Sequence, residues 1–113
     1  MDDLLAEHVL RAVEQIPPGR VVSYGDIAAL VGIGPRHVGN VLRRFGSDVP
    51  WWRVVSRDGD FGGDLLTRAR PRWAAEGIAV KANGLGCRIA DYRADLADLD
   101  TAYRKAVANL PPE

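Results

Sequence analysis

Apolar residues recur at helical spacing from the start of the chain, with Leu5, Val9, Ala12, Val13 and Ile16 falling on one face of residues 4–16. Pro17, Pro18 and Gly19 then end the pattern, which predicts an amphipathic first helix. Val21 and Val22 make a short extended step. Ser23 and Asp26 follow with the spacing of a capping box, aspartate standing in the usual glutamate position, and open a second helix that runs to about residue 31. Gly32, Ile33 and Gly34 supply a tight turn. Pro35 sits where a first helical residue belongs, because its missing N–H costs nothing there, and a third helix runs to about residue 45. Two short helices joined by a glycine-containing turn form the helix-turn-helix pattern, a geometry that many domains without DNA share.

Residues 46–50 read as a turn-rich link, 53–55 as a short extended stretch and 58–63 as a mobile, glycine-rich loop. Residues 65–76 have a helical pattern interrupted by Pro71, which removes a backbone bond and predicts a kink or a restart. Residues 78–80 and 86–89 bracket Asn83-Gly84 and predict a small hairpin or wing. From 91 to 110, Leu96, Leu99, Tyr103 and Val107 share one face of a last amphipathic helix, frayed at its end. The fold class that results is mainly α with a small β element, a winged helix-turn-helix-like arrangement. One domain is expected over 1–113, with its core at about 4–90.

A chain of 113 residues, 47% hydrophobic and 27% charged, suits one small globular domain with a modest core. It has no apolar run of membrane-spanning length and no basic-then-apolar opening, so a soluble, cytoplasmic monomer is expected. Cys87 is the only cysteine, which excludes an intramolecular disulfide and disfavours a cysteine-based zinc site. No metal or cofactor is expected.

A formal net charge of zero at first argues against nucleic acid. Its distribution changes that picture. Residues 1–33 carry two arginines against five acids, a net of −3, whereas residues 34–73 carry eight arginines against four acids, a net of +4. All eight cations in the middle third are arginine, whose planar fork suits phosphate, base edges and stacking. A GC-biased composition accounts for any single arginine about as well.

The informative segment is Val49-Pro50-Trp51-Trp52-Arg53-Val54-Val55, read with Ser23-Tyr24-Gly25 and with Pro35-Arg36-His37-Val38-Gly39-Asn40. This order resembles the DNA-binding domain of the O6-alkylguanine-DNA alkyltransferases. In their corresponding loop, a cysteine after proline accepts the alkyl group and a histidine follows it. Here those positions hold Trp51 and Trp52. A tryptophan at the acceptor position is similar to what defines the alkyltransferase-like proteins, which recognise alkylated guanine without repairing it. An indole offers no ionisable nucleophile, so direct transfer to Trp51 is excluded.

The resemblance covers about residues 4–80 and implies a partner and a set of site residues. The partner is double-stranded DNA carrying O6-alkylguanine, bound through the minor groove with the damaged nucleotide flipped out. Tyr24, Pro50, Trp51, Trp52, Arg53 and Val54 are the expected lesion pocket, Val54 through its backbone carbonyl. Arg36 is expected to fill the gap left in the stack, and Gly39 to let the third helix lie close to the groove. Ser23, Asn40 and Arg43 are expected DNA contacts, with Arg44 as a further phosphate contact. Arg53 and Glu76 would hold the loop and could satisfy one another. The resemblance also implies that the lesion is flagged for nucleotide excision repair. The linker at 45–49 lacks the asparagine that the enzymes carry there, and 58–63 looks short, so contacts from that loop stay unassigned.

Three other readings stand beside this one. A winged-helix transcription regulator explains the helices, the arginines and the wing, and would prefer an undamaged sequence. A methyltransferase using Cys87 needs a displaced acceptor with no histidine beside it in sequence, and no Ser-His-Asp grouping is evident; His8 and His37 read as surface residues. A protein-interaction module could dock through the C-terminal helix.

Overall fold

The computed structural model describes residues 3–111. Helix α1 (Asp3–Glu14) buries Val9, Ala12 and Val13 completely, as their spacing on one face requires. It packs against α2 (Tyr24–Val31), α3 (Pro35–Phe45) and, from behind, α6 (Leu96–Ala106). The capping box forms: Ser23 Oγ accepts the Asp26 N–H at 3.0 Å and Asp26 Oδ2 accepts the Ser23 N–H at 2.9 Å. Gly32, at φ +88°, closes α2 and donates its N–H to Ala28 O at 2.8 Å. Only glycine adopts that left-handed geometry without strain, and it reverses the chain into Pro35 at the head of α3.

The β element differs from the expected wing. Strand β1 (Val22–Ser23) pairs in parallel with β2 (Val54–Val55), in the register Val22 with Val54 and Ser23 with Val55. Parallel strands need a crossover, and here α2 and α3 supply it. Val22, Val54 and Val55 are fully buried, which is why runs of branched apolar residues rather than alternation mark these strands. Around Asn83-Gly84 the chain does reverse, with the Gly84 N–H donating to Lys81 O at 2.9 Å and an isolated antiparallel bridge between Val80 and Cys87. It forms no extended wing, because Ile89 enters a short helix, α5 (Ile89–Tyr92).

The expected last helix is corrected, and of the kink or restart expected at Pro71 the restart is absent. The residues at 91–110 are not one helix: the chain straightens at Arg93, where the Val21 N–H donates to Tyr92 O at 2.9 Å and the Ala94 N–H to Val21 O at 3.0 Å. Asp95 then caps α6 by accepting the Asp98 N–H at 3.0 Å. Helix α4 (Gly63–Glu76) runs through Pro71 without a restart. Its second half is anchored by Trp73, which is fully buried, stacks on Phe61 at 5.7 Å and donates its indole N–H to Trp52 O at 2.8 Å. Burying a side chain of that size stabilises by about 3 kcal/mol, enough to offset one lost helical bond.

His8 is also not a surface residue. It is buried, with Nδ1 3.0 Å from Tyr103 Oη and Nε2 2.9 Å from Pro111 O, so it ties α1 to α6 and to the chain beyond it. The segment 58–63 is held at both sides rather than hanging free. The Cys87 N–H donates to Gly59 O at 2.9 Å, and the Phe61 N–H to Leu85 O at 3.2 Å. No helix among the described residues is long and apolar enough to cross a membrane.

One polar cluster joins three segments. Arg53 and Glu76 pair at 2.7 Å with side chains 12% exposed on each side. Arg53 Nη1 also donates to Ile16 O at 2.9 Å, the Gly19 N–H donates to Glu76 Oε1 at 2.9 Å, and the Trp52 indole N–H to Glu76 Oε2 at 2.8 Å. The turn that follows α1, the segment before β2 and the end of α4 therefore meet on one carboxylate. Burial alone would raise that carboxyl, but the bonds from Arg53, Gly19 and Trp52, together with the Arg53 charge, hold it below its ordinary 4.5.

The stability this carboxylate contributes is present above its unfolded-state pKa and is lost as pH falls through its depressed folded-state value. Glu76→Gln is expected to lose on the order of 2–4 kcal/mol at pH 7 and to flatten the loss of stability on acidification below about pH 4.5, read by urea unfolding across pH. Gly59, at φ +86°, would bring a Cβ to 1.9 Å from Cys87 O. Gly59→Ala is thus expected to lower the urea midpoint well beyond Gly32→Ala, whose left-handed strain alone costs about 1–2 kcal/mol.

Candidate nucleic-acid interface

Helix α3 buries Val38 and Val41 against the core, and the face opposite carries Arg36, Gly39, Asn40 and Arg43. That face forms one wall of a cavity of about 600 Å³. Tyr24, the first residue of α2, lines it too, at a position that the capping box sets by fixing where the helix begins. Trp51 also lines it, and so do Leu65 and Arg68 of α4. Arg36, Gly39, Asn40 and Arg43 thus adjoin the same space as Tyr24 and Trp51, whereas Arg44, at the end of α3, does not line it.

Trp51 lies in a short 3-10 turn, Trp51–Arg53, so the extended stretch expected over 53–55 starts one residue later, at Val54. Pro50 precedes the turn and its carbonyl accepts the Arg53 N–H at 3.0 Å, which pins the loop. The Trp51 ring meets Trp52 edge-on at 5.8 Å and Phe61 at 6.0 Å, and the Arg68 guanidinium lies 5.3 Å from its centroid. It is half-buried, neither sealed in the core nor free in solvent.

Five of the expected site residues do not line the cavity: Pro50, Trp52, Arg53 and Val54 of the expected lesion pocket, and Ser23 of the expected DNA contacts. Trp52 turns toward Glu76, with Arg72 at 4.6 Å and Arg53 at 5.4 Å from its ring. Arg53 is taken up by Glu76 and Ile16 O, and Val54 is fully buried in β2. Ser23 is buried, its hydroxyl taken up in capping α2. Conversely, Leu65 and Arg68 do adjoin the cavity, and the sequence did not single them out. Their three-residue spacing puts both on one helical face, but nothing local says which way that face turns.

Electrostatics at the site are one-sided. Burial pushes the Tyr24 phenol above its ordinary 10.0, opposed in part by the positive charge of Arg43, so the hydroxyl is a neutral donor at neutral pH. It has no hydrogen-bond partner among the described residues. Gly39 is conspicuous for the opposite reason: a Cβ built there meets nothing within 4 Å. No contact inside the chain calls for glycine at a mid-helix position where alanine would be about 1 kcal/mol better. Cys87 does not line this space; it is fully buried in the same apolar cluster as Trp73 and Phe61, and burial raises its thiol pKa.

The sequence and the fold were compared with known proteins. The family model for the DNA-binding domain of 6-O-methylguanine DNA methyltransferase matches residues 5–85. A DNA base-flipping protein of Escherichia coli strain K12 is 42% identical over 89 residues, covering 74% of this chain and 69% of the relative. Alkyltransferase-like protein 1 of Schizosaccharomyces pombe is 30% identical over 106 residues, covering 87% of this chain and 94% of the relative. The crystal structure of S. pombe Atl1 in complex with damaged DNA containing O6-carboxymethylguanine superposes with a TM-score of 0.74 at 27% identity, over 84% of this chain and 98% of that one. A family model that matches most of the chain and relatives similar over most of its length agree: the chain belongs to the family of the 6-O-methylguanine DNA methyltransferase DNA-binding domain.

Proposed function

We propose that this protein binds duplex DNA containing O6-alkylguanine, rotates the damaged nucleotide into the cavity between α3 and Trp51, and holds it there without alkyl transfer. The observation that carries the reading is a 600 Å³ cavity walled by an indole at the residue where the resemblance puts the enzymes' acceptor thiol. The names of the relatives, a base-flipping protein and an alkyltransferase-like protein, support it.

Each side chain has a physical role in that scheme. Helix α3 docks in the minor groove, where the bare backbone at Gly39 permits close approach. Arg36, exposed at the first turn of α3, slides into the gap left by the flipped nucleotide; its flat guanidinium stacks between bases and offsets part of an unstacking cost of a few kcal/mol. Asn40 and Arg43 meet phosphates, which position the duplex without reading sequence. The neutral Tyr24 hydroxyl donates to the rotated nucleotide or its phosphate. Trp51 gives the base a stacking surface worth about 1–3 kcal/mol, and an alkyl group adds apolar contact rather than meeting a nucleophile. Trp52, Arg53 and Val54 hold that surface in place from behind.

Cys87 is no substitute acceptor, since it is fully buried, does not line the cavity, and its raised pKa keeps the thiol protonated. A reversible complex of this kind repairs nothing by itself. We take its role to be marking the lesion for nucleotide excision repair, on the nucleoid in the cytoplasm.

The test compares one duplex containing O6-methylguanine with the same duplex containing guanine. The modified duplex is expected to bind about tenfold tighter or more, with a change in tryptophan emission, and Arg36→Ala to lose most of that preference. Equal affinities would favour a regulator of undamaged DNA instead. With a radiolabelled alkyl group, no label is expected to reach the protein; label that appears and is abolished by Cys87→Ala would establish a transferase.

A further inference from the structure

We infer that the cavity sorts lesions by charge, and that Arg68 makes it prefer an anionic substituent on the base over a neutral substituent of the same shape. The inference rests on the lesion-binding reading above and names the class of adduct that the same site favours.

Three arginines, Arg36, Arg43 and Arg68, line the cavity, and no aspartate or glutamate does. Arg36 and Arg43 make no ion pair among the described residues. The one carboxylate near Arg68 is Asp64, at a loose 3.8 Å, with the two side chains 59% and 85% exposed. A pair that open to solvent contributes little and gives way readily. The cavity therefore holds permanent positive charge that its own walls do not neutralise, because a guanidinium stays protonated throughout the physiological range.

The three arginines are not equivalent. Arg36 and Arg43 stand on α3, where the gap in the base stack and the DNA phosphates engage them. Arg68 comes from a different element, α4, with its guanidinium 5.3 Å from the Trp51 ring centroid. A purine stacked on that indole lies within reach of the guanidinium, whose paired N–H groups match the two oxygens of a carboxylate. Leu65, which lines the same cavity, offers only apolar surface and takes either substituent alike. A carboxymethyl group, ionised at neutral pH, would meet Arg68 in a charge-assisted pair; its carbamoylmethyl counterpart has the same outline and no charge.

The experiment measures binding of the full chain to three matched duplexes, containing guanine, O6-carbamoylmethylguanine or O6-carboxymethylguanine. The expected order is guanine weakest and carboxymethyl tightest, with about a fivefold advantage over carbamoylmethyl that shrinks as salt rises. Arg68→Gln, at an exposed position that leaves the core intact, should bring the two adducts within about twofold, and Arg68→Lys should keep part of the preference. If Arg68 were only a phosphate contact, Arg68→Gln would weaken all three duplexes equally and leave the ratio unchanged, which overturns the inference. So would equal binding of the two adducts while both exceed guanine. If neither adduct exceeds guanine, the lesion-binding reading itself falls, and this inference with it.

Discussion

The carboxylate of Glu76 is the point on which the site depends. It gathers the Arg53 guanidinium, the Trp52 indole N–H and the Gly19 backbone N–H, and through Arg53 it also reaches the carbonyl of Ile16. An ion pair so nearly closed to water is stabilising only when its remaining donors and acceptors are satisfied, and here the surrounding backbone satisfies them. The consequence for the cavity is positional. Trp51 belongs to a three-residue turn whose next two members are both fixed to this carboxylate, so the indole wall cannot shift without breaking a charged network.

The parallel pairing of β1 with β2 adds a second constraint. Ser23 caps α2 and is also the partner of Val55, so the strand register sets where α2 starts and thereby where Tyr24 stands. Tyr24 and Trp51, which both line the cavity, are each one or a few residues from a paired strand. Their separation is controlled by backbone hydrogen bonds rather than by flexible side-chain packing. A pocket built this way keeps its shape when it is empty.

Local chemistry made the first half of the fold legible in the sequence. Ser23 and Asp26 announced a helix start, Gly32 a helix end and Pro35 another start, because each acts within a turn of its own position. The loop from Val49 to Val55 was legible through its order of residue types, and with it the family. What the sequence could not supply is long-range. Two strands of two residues each carry no period, and the break at Arg93 depends on Val21, some seventy residues upstream. The burial of His8 likewise depends on Tyr103 and Pro111. Leu65 and Arg68 adjoin the cavity only because Trp73 and Glu76 set the rotation of α4, so their place could not be read from their neighbours in sequence.

Gly39 has an implication for α3 as a whole. The helix contains a glycine near its middle, has no side-chain cap at its start and carries two arginines in its last turn. Eleven residues of that kind have too little intrinsic preference to stay helical in water, since short helices are marginal even in favourable sequences. Val38 and Val41, sunk in the core, keep it wound. The surface that faces the partner is consequently not portable: cut out as a peptide it would lose its shape, and any weakening of the core beneath it would blunt recognition before the rest of the protein unfolds.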